Sequence, residues 1–170
     1  YQEVIPVPLL PAYLQEEKEL SGAARGTIYH KVMECMDFTK APGEELARIT
    51  AAGLITGEDA LAVDVKRLEA FRRDPLAGRM RRAQERGQLF REQQFVLQAD
   101  ADKIDPRWDS PEKVLIQGII DAYFVEDGEI VLLDYKTDRV KSTEASSLYE
   151  KYRVQLDYYK MALERLTPYK

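Results

Sequence analysis

Two apolar segments separated by four polar residues constrain the fold of this chain more than any other feature. Residues 114–125 and 130–135 are rich in Ile, Val, Leu, Tyr and Phe, and an Asp-Gly pair lies at the centre of residues 126–129 between them. An Asp-Gly pair flanked by such segments is typical of a two-residue β-hairpin turn. Residues at equal distances from that turn face each other, which puts Asp121 opposite Asp134.

Two carboxylates held this close repel each other unless a cation lies between them, because paired Cβ atoms are about 4.5–5.5 Å apart. Side chains alternate along a strand, so Lys136 shares a face with Asp134 while Tyr135 points to the other. Oxygen ligands of this kind suit Mg²⁺ or Mn²⁺. A lysine beside such an ion orients a nucleophilic water or offsets negative charge that develops on a phosphate. The short Asp-x-Lys pattern alone fits the polar end of a strand equally well, and the opposed Asp121 favours a site.

The bulk properties of the chain fit a single soluble domain. Its 170 residues, 45% of them hydrophobic, are enough for one well-formed core. The lone Cys35 excludes an intrachain disulfide and any four-cysteine zinc or iron–sulfur site. The sequence has neither a signal peptide nor a segment that could span a membrane, and a reducing interior is expected. Residues 1–20 contain three prolines and are interpreted as a linker or arm before a domain at 21–170, and Tyr1 in place of Met favours a piece of a longer protein.

The only histidine of the chain lies on a predicted helix. Residues 21–38 are expected to be helical, with the helix beginning near Thr27, and Ile28, Val32 and Met36 form an apolar stripe at helical spacing. His30 lies away from that stripe. A structural or exposed role and a role as a ligand both remain open for it.

The remaining segments alternate between predicted helices and one strand. Helices are expected at residues 41–53, at 56–73 as one amphipathic helix, from Pro75 to about residue 86, and at 147–166. Residues 89–99 are expected to form a strand before the hairpin. Glu92 near the start of this strand is interpreted as an ordinary exposed residue, with a supporting role in a site as the alternative.

A local excess of positive charge stands out in a chain whose net charge is −5. Nine Lys or Arg residues lie between Lys66 and Arg91, against three acids. Such a run is either a solvated helix face or a phosphate-tracking surface beside the metal, and both interpretations remain open.

Five motifs occur in an order that resembles the RecB-like branch of the PD-(D/E)XK nucleases. They are Gly26…His30, Arg91-Glu92-x-x-Phe95, Gly118-x-x-Asp121, Asp134-Tyr135-Lys136-Thr137 and Gln155-x-x-x-Tyr159. Within that branch, the helix around His30 and the lack of cluster-binding cysteines resemble the AddA-type nuclease domains of helicase–nucleases. The iron–sulfur branches of the family carry cysteines that this chain lacks, so no iron–sulfur cluster is expected. The family often has proline where this chain has Gln94, which leaves the role of Glu92 open.

The resemblance implies a fold and a set of site residues. The fold is of the α/β restriction-endonuclease type, a mixed sheet flanked by helices, with the His30 helix over the acidic end of the hairpin. Relatives continue into a further core strand beyond the position that Lys170 matches. The implied ligands of Mg²⁺, with Mn²⁺ as the alternative, are His30, Asp121, Asp134 and the Tyr135 backbone carbonyl. Lys136 would act on the attacking water or the transition state, and Gln155 and Tyr159 would support the active site and the DNA strand.

The resemblance also implies a function, a Mg²⁺-dependent deoxyribonuclease of low sequence specificity. It would act on single-stranded DNA fed by a helicase in the same chain, with an AddB-like protein as its partner. Its setting would be double-strand-break repair in the bacterial cytoplasm, and no association with a membrane is expected. Two alternatives remain open. One is a catalytically silent module of this fold for DNA binding or subunit docking, and the other is a freestanding exonuclease acting on DNA ends.

Overall fold

The computed structural model describes residues 21–104, 107, 111–136 and 145–169 of the chain. The helices are α1 (Gly22–Cys35), α2 (Pro42–Ala51), α3 (Gly57–Leu61), α4 (Val65–Arg72), α5 (Pro75–Glu85), α6 (Ala101–Ile104) and α7 (Ala145–Leu166). The strands are β1 (Leu89–Asp100), β2 (Lys113–Glu126) and β3 (Glu129–Leu133). The arm expected at residues 1–20 lies outside the described residues.

The three strands form one antiparallel sheet in the order β1-β2-β3. Glu126 pairs with Glu129, so Asp127 and Gly128 are the two turn residues. Their φ angles are 54° and 85°, as the two central positions of a type I′ turn require. The predicted hairpin and its register are therefore confirmed.

One face of the sheet is covered by the helices that precede it in the chain. Val32 of α1, Ile49 of α2, Met80 of α5 and Phe124 of β2 are fully buried in a single cluster between these helices and the sheet. Burying a side chain of this size contributes about 1.5–3 kcal/mol. This core fixes α1 against β2 and thereby determines where His30 can lie.

The other face of the sheet is covered by α7. Tyr159, Ala162 and Leu163 of this helix are buried against Phe95 and Ile120 of the sheet. The sheet is thus enclosed between the early helices and the last one, as expected for an α/β fold in which helices flank the sheet.

The expected start of α1 near Thr27 was wrong, because the helix begins at Gly22. The Ser21 hydroxyl accepts a hydrogen bond of 3.1 Å from the Ala24 backbone N–H, which satisfies one of the unpaired donors of the first turn. This cap extends the helix through both of its glycines.

The single helix expected at residues 56–73 was also wrong, since two capped helices occupy this segment. Thr56 and Asp59 form a capping box at the start of α3, and the Asp64 carboxylate accepts from the Lys66 N–H at 3.0 Å at the start of α4. The apolar period continues across the break because Val63 between the helices is buried. In the part of the chain that the structure describes, no helix is both long and apolar enough to cross a membrane.

A candidate metal site at the end of the hairpin

Helix α1 brings His30 to the end of the hairpin. The His30 Nε2 atom lies 2.8 Å from the backbone oxygen of Tyr135, and Nδ1 lies 3.4 Å from Asp121 Oδ1. The His30 side chain is 33% exposed and can be reached from solvent. The helix thus lies over the acidic end of the hairpin, as expected from the sequence.

The C-terminal end of α1 is attached to β1 by Arg91. The guanidinium group donates to the backbone oxygens of Met33 at 3.2 Å, of Glu34 at 2.8 Å and of Met36. It also lies 5.0 Å from the centroid of the Phe38 ring. The last carbonyls of a helix have no partner within the helix, so the Arg91 side chain satisfies them and fixes the position of α1 on the sheet.

Asp121 is the buried carboxylate of the site and is held by the opposite strand. Its Oδ2 atom accepts a hydrogen bond of 2.7 Å from the Tyr135 backbone N–H. The last paired residue of β3 is Leu133, which faces Ala122, so Asp134 follows directly opposite Asp121. The predicted apposition of the two acids is therefore present in the structure.

Glu92 has an unusual backbone conformation in the middle of β1. Its φ angle is +49°, in a region that costs a residue other than glycine about 1–3 kcal/mol. Arg91 and Gln93 pair with the two residues that flank Asp121, so Glu92 lies opposite Asp121. The strained residue and the buried acid are therefore neighbours across the sheet.

The alternation of side chains is interrupted at this same position. Ile120 and Tyr123 of β2 both pack in the cluster under α7, together with Phe95. Strict alternation would place residues three apart on opposite faces of the sheet. The ladder therefore changes phase where Glu92 and Asp121 face each other.

His30, Glu92 and Asp121 form the one cluster of three potential metal ligands found among the described residues. One ligand atom from each side chain lies within 4.8 Å of the other two. The expectation that Glu92 is an ordinary exposed residue was wrong, because it is half-buried beside the two predicted ligands. Its position follows from the β1 register and from the attachment of the neighbouring Arg91 to α1.

Asp134 and Lys136 form an ion pair beside this cluster. Lys136 Nζ lies 2.7 Å from Asp134 Oδ2, and the Asp134 side chain is only 7% exposed. Asp134 Oδ1 is buried and has no hydrogen-bond partner in the described part of the chain. A buried carboxylate oxygen without a partner is costly, so this atom is free to accept a further bond, although Asp134 is not part of the cluster of His30, Glu92 and Asp121.

Helix α7 supports Lys136 from the other side of the sheet. Gln155 Oε1 accepts from Lys136 Nζ at 3.3 Å, and Gln155 Nε2 donates to the Tyr159 hydroxyl. The Lys136 ammonium group also lies 4.3 Å from the centroid of the Tyr152 ring. Tyr159 in turn packs edge-on against Phe95 at a centroid distance of 5.8 Å. The structure thus brings Gln155 and Tyr159 to the site through Lys136.

Burial is the largest influence on the pKa values of Asp121 and Glu92. It raises the pKa of Asp121, and the charge of Asp134 raises it further, whereas the Tyr135 N–H and His30 oppose the shift. Burial also raises the pKa of Glu92, with additional contributions from nearby carboxylates. A cation bound between these groups would favour their ionised forms.

The residues present fit a hard divalent cation. Carboxylate and carbonyl oxygens with one imidazole are suitable donors for Mg²⁺ or Mn²⁺. The unpartnered Asp134 Oδ1 adds a donor that no group within the described residues satisfies.

Two open clefts lie on the sheet, one at the candidate metal ligands and the other at Gln155 and Tyr159. The first has a volume of about 440 Å³. It is lined by His30, Glu92 and Asp121 and by the neighbouring residues Ala23, Gly26, Thr27 and Ile119. The other, of about 450 Å³, lies between β2 and α7 and is lined by aromatic and amide side chains that include Tyr152, Tyr158 and Gln117. An extended ligand could therefore approach the hairpin end along both faces of the sheet.

Arg79 of the basic run lies at the turn end of the hairpin, whereas Arg91, the last residue of the run, adjoins Glu92 of the candidate metal site. Arg79 of α5 pairs with Glu126 at the turn end of the hairpin, with 2.6 Å between Nη2 and the carboxylate. Glu126 is five residues along β2 from Asp121, which corresponds to roughly 17 Å. The Arg79–Glu126 pair does not place this arginine next to the candidate metal site, and both interpretations of the basic run stay open.

Comparison with known proteins gives one consistent family. The profile of the PD-(D/E)XK nuclease superfamily matches residues 9–170. An ATP-dependent helicase/nuclease protein of Lachnoclostridium phytofermentans is 35% identical over an alignment of 197 positions. This alignment covers 94% of this chain and 14% of that protein. Proteins of the same name from Syntrophomonas wolfei and Alkaliphilus oremlandii are 37% and 33% identical, and each alignment covers 95% of this chain and 14% of the relative. The chain thus spans about one seventh of the length of these relatives.

Proposed function

Since the chain belongs to the PD-(D/E)XK nuclease superfamily, we propose that it hydrolyses phosphodiester bonds in DNA with the aid of a divalent cation, Mg²⁺ in the cell. The observation that carries this proposal is the juxtaposition of His30, Glu92 and Asp121 within 4.8 Å, next to the unpartnered Asp134 Oδ1. Such a concentration of buried acids is costly in a folded protein unless a cation compensates for it.

The cation would be held by His30, Asp121, Asp134 and the Tyr135 carbonyl, with Glu92 as an additional ligand. When bound, it would act as a Lewis acid on the phosphodiester and lower the pKa of a water molecule. The chain itself supplies the positions of these donors. Asp121 is fixed by the Tyr135 N–H at 2.7 Å, and Arg91 fixes the helix that carries His30.

Lys136 is the cationic group best placed to act on the reacting phosphate. Its ammonium group is held between Asp134 at 2.7 Å and Gln155 at 3.3 Å, and Tyr152 covers it. We assign it the orientation of the attacking water and the compensation of charge on the phosphate. Gln155 and Tyr159 are positioning residues, because they act on the reaction through Lys136.

The relatives support a wider context for this domain. They are named as parts of ATP-dependent helicase/nucleases, so we infer that this chain is the nuclease part of such a protein. Its substrate would be single-stranded DNA supplied by the helicase part, its partner an AddB-like protein, and its setting double-strand-break repair in the bacterial cytoplasm. No base-reading motif is evident in the sequence, so cleavage of low sequence specificity is expected.

The first test is cleavage of end-labelled single-stranded DNA with Mg²⁺ or with EDTA. Wild type is compared with Asp134→Asn, which keeps the shape of the side chain and removes its charge. Asp127→Asn is the matched control on the same hairpin, because Asn-Gly forms the same turn as Asp-Gly. We expect cleavage that requires Mg²⁺, is lost in Asp134→Asn and is retained in Asp127→Asn.

A second measurement separates metal binding from turnover. Titration with Mn²⁺ followed by calorimetry should show one site that is weakened in both Asp134→Asn and Glu92→Gln, and saturation should stabilise the fold by about 2.7 kcal/mol at 100 times the Kd. If wild type binds Mn²⁺ but cleaves neither single strands nor DNA ends, the domain is a catalytically silent module. If it binds no Mn²⁺ at all, the proposed site is refuted.

A further inference from the structure

Helices α4 and α5 carry a concentration of positive charge that the proposed reaction does not use. We call it the α4–α5 basic surface, and it consists of Lys66, Arg67, Arg72, Arg73, Arg79, Arg81, Arg82 and Arg86. Between residues 65 and 86 these eight cations stand against three acids, whereas the whole chain has a net charge of −5. One of the three acids, Asp74, is engaged in capping α5. The local excess is therefore not neutralised within these two helices.

Most of the arginines of this surface have no acidic partner among the residues that the structure describes. Arg73, Arg82 and Arg86 are exposed, and Arg72 and Arg81 are half-buried. None of these five takes part in a hydrogen bond or ion pair of its side chain with a group in the described ranges of the chain. Structural ion pairs therefore do not account for their number.

Three of the arginines converge beside the turn end of the hairpin. Arg79, Arg82 and Arg86 follow one another at intervals of three and four residues, about 4.5 and 6 Å along the axis of α5. Ala77 and Met80 of the same helix are buried, whereas Arg82 and Arg86 are exposed. Arg79 pairs with Glu126, while Arg82 and Arg86 act on that acid only through their charge. One acid thus faces three arginines.

This surface is separate from the candidate metal site. Glu126, with which Arg79 pairs, is roughly 17 Å along β2 from Asp121. In B-form geometry one strand carries a phosphate every 3.4 Å or so, so about five nucleotides span the interval. A trinucleotide bound at the metal site cannot reach the α4–α5 basic surface, whereas a longer strand can.

We propose that the α4–α5 basic surface is a second nucleic-acid contact, which binds the phosphate backbone of DNA outside the cleavage site. The planar guanidinium group presents two donors to a phosphate, and seven of the eight cations are arginines rather than lysines. The proposal rests on the proposed function, because DNA is the polyanion that a nuclease meets. An acidic protein is the competing occupant, and the binding experiment distinguishes the two.

The test measures DNA binding in EDTA, so that it does not depend on cleavage. Fluorescently labelled 30-mers, one single-stranded and one duplex, are titrated over a range of salt concentrations with wild type and with the double variant Arg82→Gln/Arg86→Gln. Glutamine keeps the length and helix propensity of arginine approximately. The control variant Lys113→Gln/Lys160→Gln removes the same charge from exposed residues of β2 and α7. Circular dichroism and Mn²⁺ titration check that the fold and the metal site are intact.

The loss of two phosphate contacts should lower the slope of log K against log salt by about 1.4 for the single strand or 1.8 for the duplex. At 0.1 M salt this corresponds to roughly 25- to 60-fold weaker binding. The strand type whose affinity falls by the full amount expected for it is the one that the surface binds, and cleavage of a trinucleotide should not change. The proposal is overturned if the double variant loses no more affinity than the control. It is also overturned if DNA binding is unchanged while binding to poly-glutamate falls.

The outcome is independent of nuclease activity. A protein that cleaves nothing but binds DNA through Arg82 and Arg86 would refute the proposed reaction and keep this surface. An active nuclease whose affinity for 30-mers is unaffected by the double variant would keep the reaction and refute the surface. The two failures are therefore distinguishable in one set of samples.

Discussion

The Gly118→Ala substitution is a sharp test of the packing between the sheet and α7. A Cβ atom at position 118 would lie 2.9 Å from both Cε1 and Cζ of the Phe95 ring. Phe95 is only 5% exposed and packs edge-on against Tyr159. The ring cannot move away without disturbing α7, and Tyr159 leads through Gln155 to Lys136.

The magnitude follows from two opposing effects. Overpacking of a well-formed core lowers the free energy of unfolding by about 1–3 kcal/mol. Replacing glycine with alanine also restricts the unfolded chain, which raises the free energy of unfolding by about 0.4–1 kcal/mol. We expect a net loss of about 1–2 kcal/mol in the free energy of unfolding, or a fall in Tm of roughly 2–8 °C for a domain of this size. Nuclease activity should fall further than stability alone explains, because the displaced ring moves the support of Lys136.

Urea denaturation followed by circular dichroism measures the first effect, and cleavage of single-stranded DNA measures the second. Gly78→Ala is the control, because it lies inside α5 and its Cβ would meet only the ends of Arg82 and Arg81 at 3.6 and 3.9 Å. It should stabilise the protein by about 0.5–1 kcal/mol. Phe95→Leu in the Gly118→Ala background should recover part of the loss. The reasoning is refuted if Gly118→Ala is as stable as wild type.

Three further substitutions give distinct outcomes. Arg48 holds the pKa of Glu45 below its ordinary value of 4.5. The Glu45 carboxylate therefore stabilises the fold above pH 4.5, and this contribution is lost as the pH falls through the lower pKa of the folded state. Glu45→Gln should flatten the acid side of a plot of the free energy of unfolding against pH. Arg91→Met leaves three backbone oxygens of α1 without their donor and should lower the free energy of unfolding by about 2–4 kcal/mol in urea. Tyr152→Leu removes the ring over Lys136 and should lower kcat about 2- to 30-fold with KM unchanged. This range corresponds to a loss of about 0.5–2 kcal/mol of cation–π interaction. Tyr152→Phe keeps the ring and should retain wild-type kcat.

The features of the site that could be predicted from the sequence are those set by local chemistry. The Asp-Gly pair specifies a turn with two positive φ angles, and that turn alone determines that Asp121 faces Asp134. Alternation along the strand then places Lys136 beside Asp134, and the structure has them 2.7 Å apart. No long-range information is needed for any of these steps.

The contributions of Arg91 and Glu92 could not be predicted because they depend on packing between distant elements. A strand pattern assigns Glu92 to a face by assuming strict alternation, and its φ of +49° breaks that assumption. By sequence Arg91 belongs to the basic run, yet it is half-buried against carbonyls 55 to 58 residues earlier in the chain. The sequence does contain one indication of their roles. Arg91 and Glu92 are adjacent charged residues in a strand that also contains Phe95, a position where two solvated side chains are unusual.

The strain at Glu92 and the burial of Asp121 have a common physical explanation in the proposed site. Each lowers the stability of the metal-free fold, through a backbone conformation that costs about 1–3 kcal/mol and through burial that raises the pKa of the Asp121 carboxyl. The Tyr135 N–H offsets only part of the second cost, and the buried Asp134 Oδ1 has no partner within the described residues. A cation that binds only the folded state offsets all three at once, because its binding free energy adds to the free energy of folding. The positions that a cation would use thus include three at which the metal-free fold is unfavourable.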